Sequence, residues 1–559
     1  MKEIIIRKLF ELTKINKNKI SQLIEIPPLP ELGDYAFPCF VLANELKKNP
    51  LEIADNLAKK IHSSEFEKVE AKGPYLNFFI NRNKLAEKTL KSILKEKDSY
   101  GSSKIGKGKT IIEFPQPNTH KAFHIGHVRG TSLGESLSRI FEFQGVKVFR
   151  VNYSGDTGMH IAKWIWCYQR YHKNEKLKND ESWIAEIYVD AIKRLSESEN
   201  FQEEVEEINR KIESKEDKKI NEIWRQTRKL SIDSWKKIYQ QLNTGFDKHY
   251  FESEVESSGK EIAEDLLKKG IAKKSDGATI IDLQNFNLGI WVLLRKDGTV
   301  LYSAKDLALA KKKKKDFQAD SYLVIVGDEQ RLHFQQLIKT LELMGENKEK
   351  NYNFLTYALV RLPTGKMSSR TGENILYSGF ISELKNNLKN EIKKREKSIS
   401  GKDLEKRSLK LAIASMKYPM LKQDSNKVIV FDKSEALSFE GNTGPYLLYT
   451  YARAKSILRK SENKGTKSFK IESFSDSEKN LMLNLGKFSE ITQQAYQNLA
   501  PNLIANYSFQ ISQAFNEFYH SSQVIGSESE NFRISLVRAF SQVLKNSLNL
   551  LGIEVLEKM

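Results

Sequence analysis

The segment between residues 110 and 153 constrains the fold of this chain more than any other part of the sequence. An apolar strand pattern, TIIEF, leads into a polar loop, a helical pattern from about Gly126 to Phe143, and a second strand pattern, KVFRVNY. A strand, a helix and a strand in close succession predict a βαβ unit with parallel strands. Parallel sheets bind ligands at the carboxyl ends of their strands, so the loop after Phe114 is the first candidate site.

Patterns in the rest of the chain predict a multidomain α/β plus α protein. Residues 161–250 are helical and highly charged, as expected of an insertion between two halves of a sheet. From about residue 381 onward the whole chain has helical periodicity. The other predicted elements are helices at about 1–25, 38–62 and 329–345, strands at 71–81, 278–283 and 321–327, and a hairpin turn at Asp297–Gly298.

These patterns divide the chain into three predicted domains: a small α+β domain at 1–105, a parallel-sheet domain at 106–400 and an all-helical domain at 401–559. The first boundary lies within GSSKIGKG at 101–108, which has no apolar periodicity and is typical of a flexible linker. This stretch is close to a P-loop, but glycine replaces the Ser or Thr that binds magnesium, and no strand precedes it. We therefore exclude it as a phosphate site.

Composition excludes several classes of protein. The formal charge of +19 on 559 residues fits either a nucleic-acid partner or a lysine-rich proteome. Two cysteines, Cys39 and Cys167, exclude a disulfide framework and a thiolate zinc site. We expect a cytoplasmic protein, because no apolar run is long enough to span a membrane and the charged N-terminal helix is not a signal peptide. The run Lys311–Lys315 is either a solvated face or an RNA contact.

Two histidines three residues apart are the strongest signal in the candidate loop. His124 and His127 stand at the predicted helix start and share one face of that helix. Their ring N–H groups can join the helix N-terminus in binding a phosphate, and Gly126 lets a nucleotide approach the backbone. Two other interpretations stay open: the histidines cap the helix or pack in the core, or they form a metal site with His120.

A glycine-flanked loop, GKMSSRTG at 365–372, offers a second phosphate-binding element. Lys366 can bring positive charge to a triphosphate, the serines can donate hydrogen bonds, and the glycines allow the loop to close. A loop of this kind is usually only solvated. Its combination with the earlier histidine pair is more specific than either element alone.

Together the two elements resemble the HIGH and KMSKS signature motifs of class I aminoacyl-tRNA synthetases. The first is present unchanged as His124-Ile-Gly-His127, and the second is Lys366-Met-Ser-Ser-Arg370. Ser369 replaces the second lysine of KMSKS; in many members a lysine just before HIGH is thought to stand in, and Lys121 occupies that position. The segments that resemble arginyl-tRNA synthetases cover nearly the whole chain: GDYAFP, KGPYLNFF, IEFPQPNTHKAFHIGHVRGTSLGESL, RVNYSGDTGMH, LYSAKDLALA and FEGNTGPYLLYTYARAKSIL.

This resemblance implies a Rossmann-like catalytic domain with a helical insertion at about 161–250, an N-terminal domain that contacts tRNA, and a helical anticodon-binding domain. The implied activity is arginine–tRNA ligation, in which L-arginine and ATP with Mg²⁺ form arginyl-adenylate, which is transferred to the terminal ribose of tRNA(Arg). The implied catalytic residues are His124, His127, Lys366 and Lys121. The implied ATP-binding residues are His124, Gly126, His127, Lys366, Met367 and Ser368. We expect no zinc, no metal-ligating side chains and no membrane, and a monomer.

The same resemblance implies that arginine binds to Glu113, Asn118, Tyr302, Asp306 and Gln330. A guanidinium has five donors and no acceptor, so carboxylates and planar acceptors suit it. We expect Asp306 to bind the guanidinium, Glu113 to add negative potential, and Asn118 to lie nearer the amino-acid head. Apart from the resemblance, Asp306 also fits a carboxylate that stabilises a helix N-terminus. Asp156, in the GDTG segment, is either a turn residue or a ligand contact.

The expected tRNA contacts are Tyr449 and Arg453 in the C-terminal helices and Tyr75 and Asn77 in the N-terminal domain, although core packing is the default for such aromatics. The rival functions are another class I synthetase and a synthetase-like RNA-binding protein without catalysis. A cysteine-specific enzyme would need more thiols for its zinc, and a glutamate-specific enzyme would need a cationic pocket. The intact histidines and lysines of the motifs argue against a loss of catalysis.

Overall fold

The structure is a computed structural model that describes residues 2–559 except 198, 348, 350, 364–375 and 462–473. Lys366, Met367 and Ser368 therefore lie outside the described residues. The chain forms two compact units. The smaller unit consists of Met1–Tyr100, Ile457–Lys487 and Gln513–Val543, and the larger unit consists of Gly101–Ser456, Phe488–Ser512 and Leu544–Met559. The predicted domain boundaries at 105 and 400 stay a prediction.

In the smaller unit, the N-terminal residues form a three-stranded antiparallel sheet, order β1-β3-β2, with helices packed around a core that includes Leu76 and Phe78. The predicted strand at 71–81 forms as β3. Its partner β2 was not predicted, because its FEKVEAK sequence is largely exposed and charged. The elements of this segment are α1 (Lys2–Thr13), α2 (Lys17–Leu23), β1 (Tyr35–Pro38), α3 (Ala43–Leu46), α4 (Pro50–Lys60), β2 (Phe66–Lys72), β3 (Tyr75–Ile80) and α5 (Arg82–Glu96).

The next part of the chain alternates strands and helices. Its elements are β4 (Lys109–Glu113), α6 (Ile125–Phe143), β5 (Lys147–Ser154), α7 (Met159–Tyr171), α8 (Glu181–Glu197), α9 (Gln202–Ser214), α10 (Lys218–Gln241), β6 (Lys248–Phe251), α11 (Glu256–Lys268), β7 (Lys273–Ser275), β8 (Ala278–Asp282), β9 (Ile290–Leu294), α12 (Tyr302–Phe317), β10 (Ser321–Gly327), α13 (Arg331–Leu343), β11 (Tyr352–Tyr357) and β12 (Val360–Arg361).

The remaining elements are helical apart from one short strand. They are α14 (Tyr377–Arg395), α15 (Gly401–Leu421), β13 (Ile429–Val430), α16 (Lys433–Leu437), α17 (Gly444–Lys460), α18 (Asp476–Gly486), α19 (Phe488–Gln497), α20 (Pro501–Ser521) and α21 (Glu530–Leu550).

A five-stranded parallel sheet organises the larger unit, with the order β11-β10-β4-β5-β6. The predicted βαβ unit is confirmed: β4 and β5 pair in parallel, with Glu113 opposite Val151, and α6 connects them. β10 has the predicted bounds and pairs with the other side of β4, placing Val324 opposite Glu113. The fold class expected from the sequence, a parallel-sheet domain with a helical insertion and helical C-terminal segments, is therefore confirmed.

One local expectation was wrong. The insertion at 161–250 is not helical to its end, because Lys248–Phe251 forms β6, an edge strand parallel to β5. The KHYF sequence has only four residues, two of them partly buried and two buried, so it has no clear alternating strand pattern. The turn at Asp297–Gly298 does form, with Gly298 at φ 85°. It closes a short antiparallel hairpin, in which Leu294 pairs with Val300 and the Leu301 N–H donates to the Leu293 carbonyl at 2.9 Å, before Tyr302 begins α12.

Lys313, the middle lysine of the Lys311–Lys315 run, is buried. Its side chain is 1% exposed, and its Nζ donates to the Glu113 Oε2 at 2.6 Å and to the Tyr352 hydroxyl at 2.8 Å. Burial opposes its charge, but the Glu113 carboxylate raises the pKa of Lys313. Lys313 is therefore neither part of a solvated face nor exposed for contact with RNA. The next lysine, Lys314, is exposed and pairs with Glu346 at 2.9 Å.

None of the helices in the described ranges is long and apolar enough to cross a membrane.

Lys313→Met should lower the free energy of unfolding by about 3–5 kcal/mol, because the Glu113 carboxylate would stay buried without its partner. Lys314→Met is the matched control and should change it by less than about 1 kcal/mol. Urea unfolding followed by tryptophan fluorescence measures both variants, since all 6 tryptophans belong to the larger unit. Equal midpoints for the two variants would contradict a structural role for Lys313.

Candidate active site

A cavity of about 370 Å³ opens at the carboxyl ends of β4 and β10. The five residues expected to bind arginine all line it: Glu113, Asn118, Tyr302, Asp306 and Gln330. They come from the end of β4, the loop after it, the first two turns of α12 and the turn before α13. The parallel sheet thus brings together residues that are far apart in sequence. Their role in binding stays a prediction.

The cavity is acidic. Four carboxylates line it, those of Glu113, Glu252, Asp306 and Glu329, against the single ammonium of Lys313. The negative potential expected from Glu113 is largely offset by its ion pair with Lys313. Burial raises the pKa of Glu252, which also pairs with Lys305 at 3.3 Å.

Asp306 is a half-buried carboxylate of the cavity whose charge has no lysine or arginine partner among the described residues. Its side chain is 14% exposed, and its Oδ2 lies 2.6 Å from the Nε2 of His333. A carboxylate that faces a cavity without a cationic partner is suited to bind a cationic ligand.

Tyr153, Glu252 and His333 are among the cavity residues that sequence reasoning missed. The Tyr153 hydroxyl is buried and has no hydrogen-bond partner among the described residues, so it is available to a ligand. Tyr153 lies in RVNYSGDTGMH, one of the segments that carried the family resemblance, and this could have drawn attention to it. No pattern in the sequence points to Glu252 or His333.

His124 and His127 form a stacked pair at the N-terminus of α6. Their ring centroids are 3.8 Å apart and their planes are inclined by 23°. The backbone N–H of Gly126 donates to the Nδ1 of His124, and the backbone N–H of His124 donates to the Nδ1 of His127, both at 3.2 Å. Since each Nδ1 accepts a hydrogen bond, each neutral ring carries its proton on Nε2.

Both histidines are held neutral. Burial, and then the ammonium of Lys121, lower the pKa of His124 to about 4. Burial, His124 and Lys121 lower the pKa of His127 well below its ordinary value. The helix-capping interpretation is correct for His124, but capping occupies only its Nδ1. The two Nε2–H groups remain as neutral donors beside a helix N-terminus, an arrangement suited to binding an anion.

His120 does not join the pair in a metal site. It is fully buried, with its Nε2 2.7 Å from the Thr227 hydroxyl and its Nδ1 3.1 Å from the Thr119 hydroxyl, so both ring nitrogens are engaged. In the described part of the chain, one other group has the spacing of metal ligands: Cys167, His172 and Asp190, in the insertion. The Oδ2 of Asp190, which would be the ligand atom, already accepts a hydrogen bond from the Arg194 Nε at 2.8 Å. We assign no metal to this group, and the expectation of no metal stays a prediction.

Lys121 rests against the insertion. Its Nζ lies 5.6 Å from the ring centroid of Tyr188 on α8, and burial together with the nearby Lys163 lowers its pKa. This reduces the cost of moving the ammonium onto a phosphate, because the group is already partly desolvated.

The described residues on both sides of segment 364–375 contact the start of α6. Before the segment, the carbonyl of Leu359 accepts a hydrogen bond from Arg129 of α6 at 3.3 Å. After it, Leu376 pairs with the backbone of His124, and the Tyr377 N–H donates to the Phe123 carbonyl at 2.9 Å. The chain thus enters and leaves the segment beside the histidine pair.

Asp156 is a structural residue of the GDTG turn. Its side chain is fully buried and accepts hydrogen bonds from the Ser253 N–H and hydroxyl and from the Arg228 Nε, at 2.7–2.9 Å. These bonds fasten the turn to α10 and to the segment after β6. Asp156 does not line the cavity, which favours the turn interpretation over a ligand contact.

The residues expected to contact tRNA lie in both units. On α17, the Arg453 guanidinium lies 4.9 Å from the ring centroid of the half-buried Tyr449, and Arg395 approaches the same ring at 5.4 Å. On β3, Tyr75 is half-buried, but Asn77 is 3% exposed and belongs to the sheet core. The roles of these residues in tRNA binding stay predictions.

Family models match three parts of the chain: the model of class I tRNA synthetases (R), catalytic domain, at 89–432, that of the arginyl tRNA synthetase N terminal domain at 1–80, and that of the DALR anticodon binding domain at 447–559. Arginine--tRNA ligase of Clostridium acetobutylicum is 37% identical over 564 residues, covering 100% of both chains. The corresponding ligase of Clostridium kluyveri is 38% identical over 550 residues, covering 97% of both chains.

Two solved structures share the fold. The Thermus thermophilus arginyl-tRNA synthetase matches with a TM-score of 0.78 at 24% identity, covering 100% of this chain and 99% of that chain. The Plasmodium falciparum enzyme matches with a TM-score of 0.75 at 21% identity, covering 98% of both chains. With a catalytic-domain model over more than half of its length and full-length relatives, the chain belongs to the arginyl-tRNA synthetases, a family of class I aminoacyl-tRNA synthetases.

Proposed function

We propose that this chain is an arginine–tRNA ligase that works in the cytoplasm as a monomer. It activates L-arginine with ATP and transfers the arginyl group to the terminal ribose of tRNA(Arg). The observation that carries this proposal is that one loop leads from an acidic cavity to a pair of neutral imidazole donors. This loop connects β4 and α6, and it begins after Glu113 and ends at His124.

In the first step, a carboxylate oxygen of arginine attacks the α-phosphorus of ATP and pyrophosphate leaves. Negative charge builds up on the phosphoryl oxygens, so the enzyme's task is to position the reactants and stabilise that charge. The Nε2–H groups of His124 and His127 are fixed donors that need no reorganisation. By analogy with other fixed donors to a developing anion, each contributes about 3–4 kcal/mol to the transition state. Lys121 and Lys366 add positive charge.

Mg²⁺ is assigned to the substrate as MgATP. The described side chains around the start of α6 are imidazoles and a lysine, a donor set that suits an anion better than a metal ion. Magnesium commonly keeps most of its water and is held through the phosphates of its nucleotide. Bound in this way, it neutralises part of the triphosphate charge.

Selection of arginine follows from the charge and shape of the cavity. The planar guanidinium can form two parallel hydrogen bonds with the Asp306 carboxylate, whereas the ammonium of lysine cannot satisfy the same plane. Tyr302 begins α12 one turn before Asp306, and its ring lies against that of His333 at 4.7 Å. Asn118 accepts from the Gly155 N–H at 3.2 Å, which holds the loop that would receive the amino-acid head.

In the second step, the terminal ribose hydroxyl of tRNA attacks the activated carbonyl, and AMP leaves. Tyr449, with Arg395 and Arg453 against its ring, is the best supported candidate for stacking on an anticodon base. We assign the N-terminal contact to the half-buried Tyr75 rather than to the buried Asn77.

Exchange of labelled pyrophosphate into ATP tests the assignment most broadly. Among the twenty amino acids, arginine alone should support exchange, and only when tRNA is present, as the family requires. Arg-free and tRNA-free reactions are the controls. Exchange driven by another amino acid would overturn the assignment of the substrate.

Asp306→Asn should raise the arginine KM by about a hundredfold, because it removes the charge of a buried hydrogen-bonded pair. The ATP KM should stay within about threefold, since the triphosphate binds at the α6 end of the site. Asp265→Asn, which removes a carboxylate paired with Lys269 on the surface of α11, is the matched control and should leave both values unchanged. An unchanged arginine KM in the Asp306 variant would remove Asp306 from the pocket.

A further inference from the structure

We propose that Trp291 and His333 form a hydrogen-bonded chain that orients Asp306 for the guanidinium of arginine and keeps the net charge of the His333–Asp306 pair negative. This inference rests on the proposed arginine specificity and adds two positioning residues to it. Trp291 belongs to β9, is 3% exposed and does not line the cavity. It therefore acts on the substrate only through His333.

The direction of each hydrogen bond follows from the chemistry of the donors. The Nε1 of Trp291 lies 3.3 Å from the Nδ1 of His333. An indole N–H can only donate, so this Nδ1 must be an acceptor and carries no proton. The proton of the neutral ring is then on Nε2, which donates to the Asp306 Oδ2 at 2.6 Å. The carboxylate is held through one lone pair of Oδ2, so its Oδ1 and the second lone pair of Oδ2 remain for the two hydrogen bonds of a guanidinium.

The chain also controls charge. A second proton on His333 would sit on Nδ1 and point at the indole N–H, so it would break the bond from Trp291. The resulting imidazolium would form an ion pair with Asp306 and compete with the guanidinium. By opposing this proton, Trp291 preserves the net negative charge of the His333–Asp306 pair.

Among the described residues, no other group near the His333 ring opposes its protonation by donating a hydrogen bond to Nδ1. The titratable groups that share the cavity with His333 are the tyrosines Tyr153, Tyr302 and Tyr352, the carboxylates Glu113, Glu252, Asp306 and Glu329, and Lys313. Lys313, the ammonium among them, is already paired with Glu113. Trp291 is the neighbour that opposes protonation by hydrogen bonding.

Trp291→Phe tests the proposal, because it keeps an aromatic ring and removes the donor. Arginine binding is measured by calorimetry at about pH 8 and about pH 6, on either side of the ordinary histidine range. Relative to wild type, the arginine Kd should be within about threefold at the higher pH and about tenfold weaker at the lower pH, as expected for the loss of one hydrogen bond that opposes protonation. The ATP KM should not change at either pH.

Two further variants separate positioning from general destabilisation. In Trp291→Phe combined with His333→Gln, the glutamine amide can donate to Asp306 but cannot take up a proton, so the pH dependence should disappear. Trp166→Phe removes a buried indole that donates to Glu204 in the insertion, and it should retain the wild-type pH profile.

The outcomes distinguish the inference from the proposed function. A Trp291 variant whose arginine Kd has the wild-type pH profile, or a double variant that keeps the variant's pH dependence, overturns the role of the chain. Absence of arginine binding by the wild-type protein at both pH values overturns the proposed function itself.

Discussion

The parallel pairing of β4 with β10 is the constraint on which the rest of the site depends. It places Val324 opposite Glu113, so the loops that follow the two strands open at the same edge of the sheet. One loop leads to His124 and α6, and the other leads to Gln330 and α13. The buried pair of Lys313 and Glu113 fastens α12 to this edge. The cavity is the space that these connections leave between them.

The same hydrogen-bonding arrangement of a histidine occurs three times around this site. His124, His127 and His333 each accept an N–H hydrogen bond at Nδ1, from the backbone in two cases and from Trp291 in the third. Each ring is therefore fixed in the tautomer with its proton on Nε2. At the start of α6 this provides neutral donors for an anion. Beside Asp306 it leaves a carboxylate charged for a cation. The same hydrogen bond at Nδ1 thus suits an anionic ligand at the start of α6 and a cationic ligand at Asp306.

The parts of the fold that depend on local pattern were predictable from sequence. The βαβ unit and the His124–His127 pair follow from strand and helix periodicity and from side-chain spacing along one element. The family resemblance then named the five cavity residues from motifs alone. β6 was not predicted because its KHYF sequence has only four residues and forms an edge strand, which is too short to show a clear pattern.

Pairwise contacts between distant elements were not predictable in the same way. Lys313 follows the buried Leu307 and Ala310 at helical spacing, so its burial had a signal, but the identity of its partner had none. The chain from Trp291 through His333 to Asp306 joins three elements, and nothing in the sequence specifies their approach. A crystal structure with a non-hydrolysable arginyl-adenylate analogue would show whether the cavity and the histidine pair act on one ligand. We expect the guanidinium on Asp306 and the phosphoryl oxygens within hydrogen-bond distance of the Nε2 atoms of His124 and His127. A guanidinium bound elsewhere, or a phosphate remote from both imidazoles, would contradict this expectation.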